Sequence, residues 1–318
     1  MVVVDPVTPR WPGAGRGRGH YESYFLRAVH PTEPRGVWLR YTVTISPAGR
    51  PEGQLWFTLF DRDAPRPRAA RVDAGEATTG EGAWIRLGSS SFGAAEITGE
   101  ARTTDLSARW SLRVTTDERP LLHLPRHWMY TARLPRTKLT SPAPAALFDG
   151  ILEVDGERIT VHGWPGMVGH NWGEQHAERW IWLHGLAFDG AGHEAAWLDV
   201  AVGRIRLGPV VTPWVANGVL SLAGTRVPLG GVGRRVVVRA GPDGCELRIP
   251  GPSAAVTVSA TAPTDAFVAW DYADPDGTPH QVLNCSVADL AVRVERPGQE
   301  PVHLRAPGRG AYELGAPV

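Results

Sequence analysis

The chain has 318 residues, and its 33 basic and 33 acidic side chains leave a formal net charge of zero. That balance supplies no field to attract phosphate or acidic membranes and argues against nucleic acid as a partner. Two cysteines cannot build a disulfide framework, and the opening Met1-Val2-Val3-Val4-Asp5-Pro6 lacks the basic and long apolar parts of a signal peptide. No window carries the eighteen or so apolar residues of a membrane helix, so the expectation is a cytoplasmic protein without an integral membrane segment.

The length suggests two domains of roughly 150 residues each. With 37 glycines and 28 prolines scattered through it, the chain is cut into short segments that discourage long helices. Residues 1 to 18, with Arg10, Arg16 and Arg18 among Pro and Gly, read as a flexible leader. His20 to Phe25 opens a first barrel with its aromatics inward, Tyr24 among them. Gly36 to Ile45 alternates Val37, Leu39, Tyr41, Val43 and Ile45 against Arg40, Thr42 and Thr44, the period of a strand. Leu55 to Phe60 is apolar on both faces, as a covered strand is. Ala108 to Val114 alternates again around Trp110 and Leu112.

Pro135, Pro142 and Pro144 make residues 135 to 146 an expected connector, which puts one barrel at 19 to 134 and a second at 147 to 318. The second opens with the Ile151 to Val161 hairpin, whose Asp155-Gly156 supplies the positive φ of a type I′ turn. Another hairpin follows around Pro242-Asp243-Gly244, and Val282 to Val294 reads as a final long strand that Ser286 to Leu290 can bend. All-β is the expected class, with two antiparallel barrels in tandem.

The densest chemistry lies between Gly163 and Gly203. Arg179 to Phe188 and Glu194 to Val202 read as a hairpin turning at Asp189-Gly190-Ala191-Gly192. Pairing Phe188 with His193 sets His184 opposite Trp197 and Trp182 opposite Asp199, so Trp180, Trp182, His184, Trp197 and Asp199 share a face. A slip of one residue separates the two strands' sets. A carboxyl among indoles is pushed toward its neutral form, and a neutral acid can protonate an alkene. Aromatic faces stabilise the resulting cation by about 0.5 to 2 kcal/mol each. The plainer alternative is that Asp199 is satisfied by backbone donors or by Arg204 and that His184 fills the core. A metal site is a rival use of His162, His170, His176, His184 and His193, although their spacing matches no ligand motif; no metal or cofactor is expected.

At Gly169-His170-Asn171-Trp172-Gly173, followed by Arg179-Trp180-Ile181-Trp182 and Trp197-Leu198-Asp199, the sequence resembles the carotenoid hydratase (hydroxyneurosporene synthase), AttH-like and tocopherol-cyclase-like group. The opening His20 to Phe25 and the closing Ala311-Tyr312-Glu313 are similar as well. The resemblance implies tandem lipocalin-like folds and a site in which His170 and Trp172 match a His-x-Trp pair and Asp199 matches the acid that protonates a terminal double bond. Trp197 stands where those enzymes carry Tyr, which removes a hydroxyl able to position water.

Three functions remain open at this point. The first is a lyase or isomerase that works on a polyene or terpenoid-like molecule by proton-initiated hydration, cyclisation or isomerisation. Asp199 is then the donor, with His170 and His184 orienting acid or water and Trp172, Trp180, Trp182, Trp197 and Tyr24 shaping the pocket. The second is a carrier for an apolar ligand, and the third a pericyclase-like catalyst that holds its substrate folded. Oligomeric state is not legible.

Overall fold

The computed structural model describes residues 4–14, 17–190 and 192–317. Met1–Val3 and Gly15–Arg16 of the expected leader, and Ala191 of the expected turn, lie outside the described residues. Among these residues the chain forms strands and three short 3-10 turns, with no α-helix, and no helix long and apolar enough to cross a membrane. The scattered Gly and Pro disfavour helix through most of the chain.

Two antiparallel sheets follow one another along the chain. The first has 12 strands and runs from Arg68–Gly75 through Pro51–Asp61, Arg35–Ile45 and His20–Val29 to Glu157–Gly173, Thr137–Val154 and Ser107–Thr115, then to the short strands up to Ala77–Gly80. Its two ends approach each other, so it rolls into a barrel around Leu26, Val37, Leu39, Phe57, Trp110 and Phe148. The second has 10 strands, with Trp197–Arg204, Arg179–Leu186, Val302–Pro317 and Pro279–Glu295 at its centre. It encloses a core of Leu198, Val200, Leu247, Val256 and Val292.

Local readings hold where turn chemistry decides them. Val154 pairs with Glu157 across Asp155 (φ 52°) and Gly156 (φ 84°), the left-handed pair of a type I′ turn. The strand Pro279–Glu295 changes register between Cys285 and Leu290, where the bend was expected.

Three expectations are corrected. Residues 135 to 146 are not a connector: Thr137–Val154 is one strand of the first sheet, bulged between Thr140 and Ala146 so that its prolines are tolerated. The hairpin at Asp155-Gly156 therefore belongs to the first sheet, and the passage to the second falls at residues 174 to 178. Pro279–Glu295 is not the last strand, because Val302–Pro317 returns antiparallel to it. The part of the leader around Val7 to Trp11 is docked rather than loose: Glu22 accepts the backbone N–H groups of Arg10 and Trp11, Trp11 is buried, and the Val7 carbonyl takes the Tyr24 hydroxyl.

Candidate functional site in the cleft between the sheets

The faces of His20–Val29 and Arg179–Leu186 that do not serve their own barrels meet each other. On the first, Tyr24, Leu26 and Ala28 enter the first barrel's core, which leaves Tyr21, Phe25 and Arg27 on the opposite side. On the second, Ile181 and Leu183 enter the second core, which leaves Trp180, Trp182 and His184. Arg27 is wholly buried where the faces join and ties the sheets together. Its guanidinium lies 2.9 Å from His184 Nδ1 and donates to the carbonyls of Ser286 (2.8 Å) and Arg309 (2.7 Å).

Beside this junction opens a cleft of about 440 Å³. Its wall is largely apolar, with Phe25, Leu139, Trp180, Trp182 and Val202 inside and the exposed Trp128, Leu134 and Val232 on its rim. Two cross-strand pairs shape it: Phe25 lies over Gly169 and Trp180 over Gly315, so close that a Cβ on either glycine would sit 2.1 Å from the ring. The glycines let the rings lie flat on the sheet.

The hairpin that carries Asp199 has a longer loop than expected. Leu186 pairs with Trp197 and His184 with Asp199, two residues away from the predicted pairing. A slip of two preserves the faces, so Trp182, His184, Trp197 and Asp199 remain on one side. The Asp199 carboxylate is fully buried. Trp182 Nε1–H donates to Oδ1 (3.0 Å), Ser141 Oγ–H donates to Oδ2 (2.5 Å), and His123 Nε2 stands 3.4 Å from Oδ2. His123 Nε2 also lies 3.1 Å from Ser141 Oγ, while its Nδ1 reaches the Asn217 carbonyl only at 3.3 Å. His123 and Asn217 line the cleft, and Asp199 sits behind them.

The electrostatics of Asp199 run against the sequence expectation. Burial pushes its carboxyl up, as argued from the indoles, but the charge and hydrogen bond of His123, with His184 and Ser141, outweigh burial and leave it at about 2. Asp199 is therefore a carboxylate in the fold. His184 has both ring nitrogens engaged, Nδ1 by Arg27 and Nε2 by the Pro144 carbonyl (2.9 Å). Burial and the Arg27 charge lower it to about 4, which keeps it neutral.

The remaining predicted residues fall elsewhere. His170, Trp172 and Tyr24 belong to a separate cluster on the first barrel's inner face: His170 Nε2 lies 2.7 Å from Glu22 Oε1, Nδ1 faces the Pro6 carbonyl at 2.7 Å, and Tyr24 stacks on the His170 ring at 4.2 Å. Glu22 is fully buried. Burial raises its carboxyl, but the bonds from His170 and His20 prevail and bring it to about 2. Trp172 lies beneath the Arg10 guanidinium. Trp197 is buried with its Nε1–H donated to Glu118 and Arg226 over its ring, away from the cleft. Trp180 does line the cleft, bonding Glu313 through Nε1 (2.8 Å) and stacking on His176. Of the five histidines weighed for a metal, His176 is the one that, among the described residues, joins a group of three ligand-type side chains, with Asp274 and His280, whose ligating atoms lie within 4.8 Å of one another.

Sequence reasoning missed His123, which lines the cleft, and Ser141, Asp274 and His280, which bond to Asp199 and around His176 behind it; all four lie outside the aromatic-rich stretch and are brought there only by folding. Glu22 and Arg27 carried a readable signal, since each is a charge inside a mostly apolar, wholly buried strand, His20–Val29.

No protein-family model matches the chain. An uncharacterized protein of Mycobacterium tuberculosis, found in two strains, is 29% identical over 309 residues, 96% of this chain and 88% of its own length. Among solved structures, a protein of Nitrosomonas europaea described as an AttH aligns over 99% of this chain and 100% of its own, with a TM-score of 0.52 and 14% identity. Kievitone hydratase from Nectria haematococca aligns over 97% of this chain and 90% of its own, with a TM-score of 0.55 and 10% identity. At these identities the likeness is one of fold: tandem all-β barrels, as expected from the sequence.

Proposed function

We propose that the chain is an acid–base enzyme that adds water to, cyclises or isomerises an apolar, polyene-like small molecule bound in the cleft between the two sheets. The observation that carries this reading is the buried Asp199–His123 pair at the wall of an apolar cleft. His123 is the member that faces the substrate, and its Nδ1, only loosely engaged by Asn217, is the position from which a proton can leave. Asp199 holds the ring and stabilises its charge, Ser141 and Trp182 fix Asp199, and the faces of Trp180 and Trp182 offer π-density to a cation. His170, Trp172, Tyr24 and Trp197 take no direct part in this reading. The fold shared with a hydratase supports the choice of hydration among the three outcomes, as an analogy and not as a shared reaction.

One observation favours a second reading. Both oxygens of Asp199 are already occupied by protein donors, as in a purely structural carboxylate, so the cleft could serve a carrier.

The test is incubation with acyclic polyenes and terpenoids in heavy water, with products followed by mass spectrometry. Deuterium is expected on carbon in the wild type and is expected to fall by about a hundredfold or more in Asp199→Asn and His123→Gln. Turnover unaffected by both substitutions would sink the acid–base reading in favour of a catalyst that only folds its substrate. Unchanged compounds that stay bound through purification would favour the carrier.

A further inference from the structure

A second histidine–aspartate pair stands at another point of the same cleft, and the reaction proposed above leaves it unused. We propose that His176 is the base that takes the proton from the water adding to the substrate, its ring held in place by Asp274. The proposal rests on the acid–base reading of the cleft and assigns the half of that reaction which His123 cannot perform.

His176 lies in the short passage between the two sheets, with its ring sandwiched between them. Tyr21 of the first sheet stacks on it at 4.2 Å and 10°, and Trp180 of the second at 5.5 Å. Asp274 Oδ1 lies 2.6 Å from His176 Nδ1 and also accepts the His176 backbone N–H at 2.7 Å, while Oδ2 takes His280 Nε2 at 3.0 Å. A carboxylate on Nδ1 fixes the tautomer with the hydrogen there, which leaves Nε2 as a bare lone pair. His176 Nε2 is buried and has no partner, and neither has Nε of Arg40. Buried polar atoms without a partner call for a small polar occupant. His176 and Arg40 both contribute to the wall of the cleft, with these nitrogens buried just behind its surface. Burial, with the charges of Arg40 and His280, holds His176 below the ordinary imidazole value against the pull of Asp274, and a neutral ring is the form that accepts a proton.

The two pairs are anchored on one strand: Trp182 bonds Asp199 and Trp180 stacks on His176, and as alternate residues of Arg179–Leu186 the two tryptophans point to the same side. A proton leaves His123 as the π pair of the alkene forms the new C–H bond. An oxygen lone pair of water then bonds to the cationic carbon, and the O–H pair stays on oxygen as its proton passes to His176 Nε2. The sum is one water added across one double bond, and exchange with solvent resets both histidines.

The same three side chains could hold a cation by geometry. A ligating imidazole, however, donates its remaining N–H to an acceptor, and here neither His176 Nε2 nor His280 Nδ1 has one.

The test uses the whole protein with 15N-labelled histidine and two probes, an acyclic tertiary terpene alcohol and the hydrocarbon formed by its dehydration. The free protein is expected to show His176 with its hydrogen on Nδ1. The alcohol is expected to shift the His176 Nε2 resonance, and the hydrocarbon in the same cleft is not. In heavy water His176→Gln should still place deuterium in the hydrocarbon, while hydrated product falls by about a hundredfold. A hydrogen on Nε2, an equal response to both probes, stoichiometric zinc binding at these three residues, or hydration in His176→Gln near the wild-type rate would each overturn the assignment. Absence of deuterium incorporation in the wild type would instead remove the acid–base reading itself, and this proposal with it.

Discussion

Asp199 and His184 face each other across one hairpin, and their protonation differs because of what lies behind each. Asp199 meets a histidine able to hold a proton, whereas His184 meets the fixed positive charge of Arg27. With a folded value of about 4 against the ordinary 6.5, His184 stays neutral in the fold while the unfolded chain binds a proton. Stability from this group is therefore full above about pH 6.5 and is lost as the pH falls toward 4, by at most ~3 kcal/mol. Urea unfolding across that window should show the decline, and His184→Gln should flatten it by about one proton; an unchanged slope would mean that another group sets it. The sequence made the aromatic setting of Asp199 legible and with it the desolvation. The opposing charge came from His123, 76 positions away, and no local pattern could reveal it.

At the level of the strand, the expected face survived an incorrect loop length because the slip was even. Had the turn been one residue longer or shorter, Trp182 and Asp199 would have parted company. The cleft wall depends equally on cross-strand partners that lack side chains. Gly169→Ala would place a Cβ 2.1 Å from the Phe25 ring and force that ring from its edge-on position 5.6 Å from Trp182 into the cleft. A loss of about 1–3 kcal/mol is expected from urea unfolding at unchanged m-value, together with weaker binding of apolar probes. Full retention of both would show that Phe25 can move without cost. The prolines of Thr137–Val154 misled for a related reason: in sequence they mark a linker, but a bulged strand accommodates the missing donors.

Across the whole molecule, the halves are joined by polar and apolar contacts as well as by the short passage at residues 174 to 178. Arg27 bridges to the second sheet, His123 and Ser141 reach across to Asp199, and Glu118 pairs with Arg226. Separating the sheets would break these bonds and expose the apolar contacts between them, Trp38 and Trp56 on Trp270 and Phe25 on Trp182, so the two should unfold in one transition. Calorimetry and tryptophan fluorescence are expected to coincide, and two resolved transitions would show that the barrels are energetically independent. By itself the sequence determined the all-β class, the alternation of strand faces, the type I′ turn at Asp155-Gly156 and the aromatic stretch that bears Asp199. Each of these follows from side-chain period and turn chemistry within a few residues. Only the tertiary structure decided where one sheet ends and the next begins, that His170 and Trp172 lie apart from Asp199, that His123 meets the cleft and that Asp274 backs His176 there. Those outcomes depend on which outer faces bury against each other, and that choice is made by packing between residues far apart in the chain.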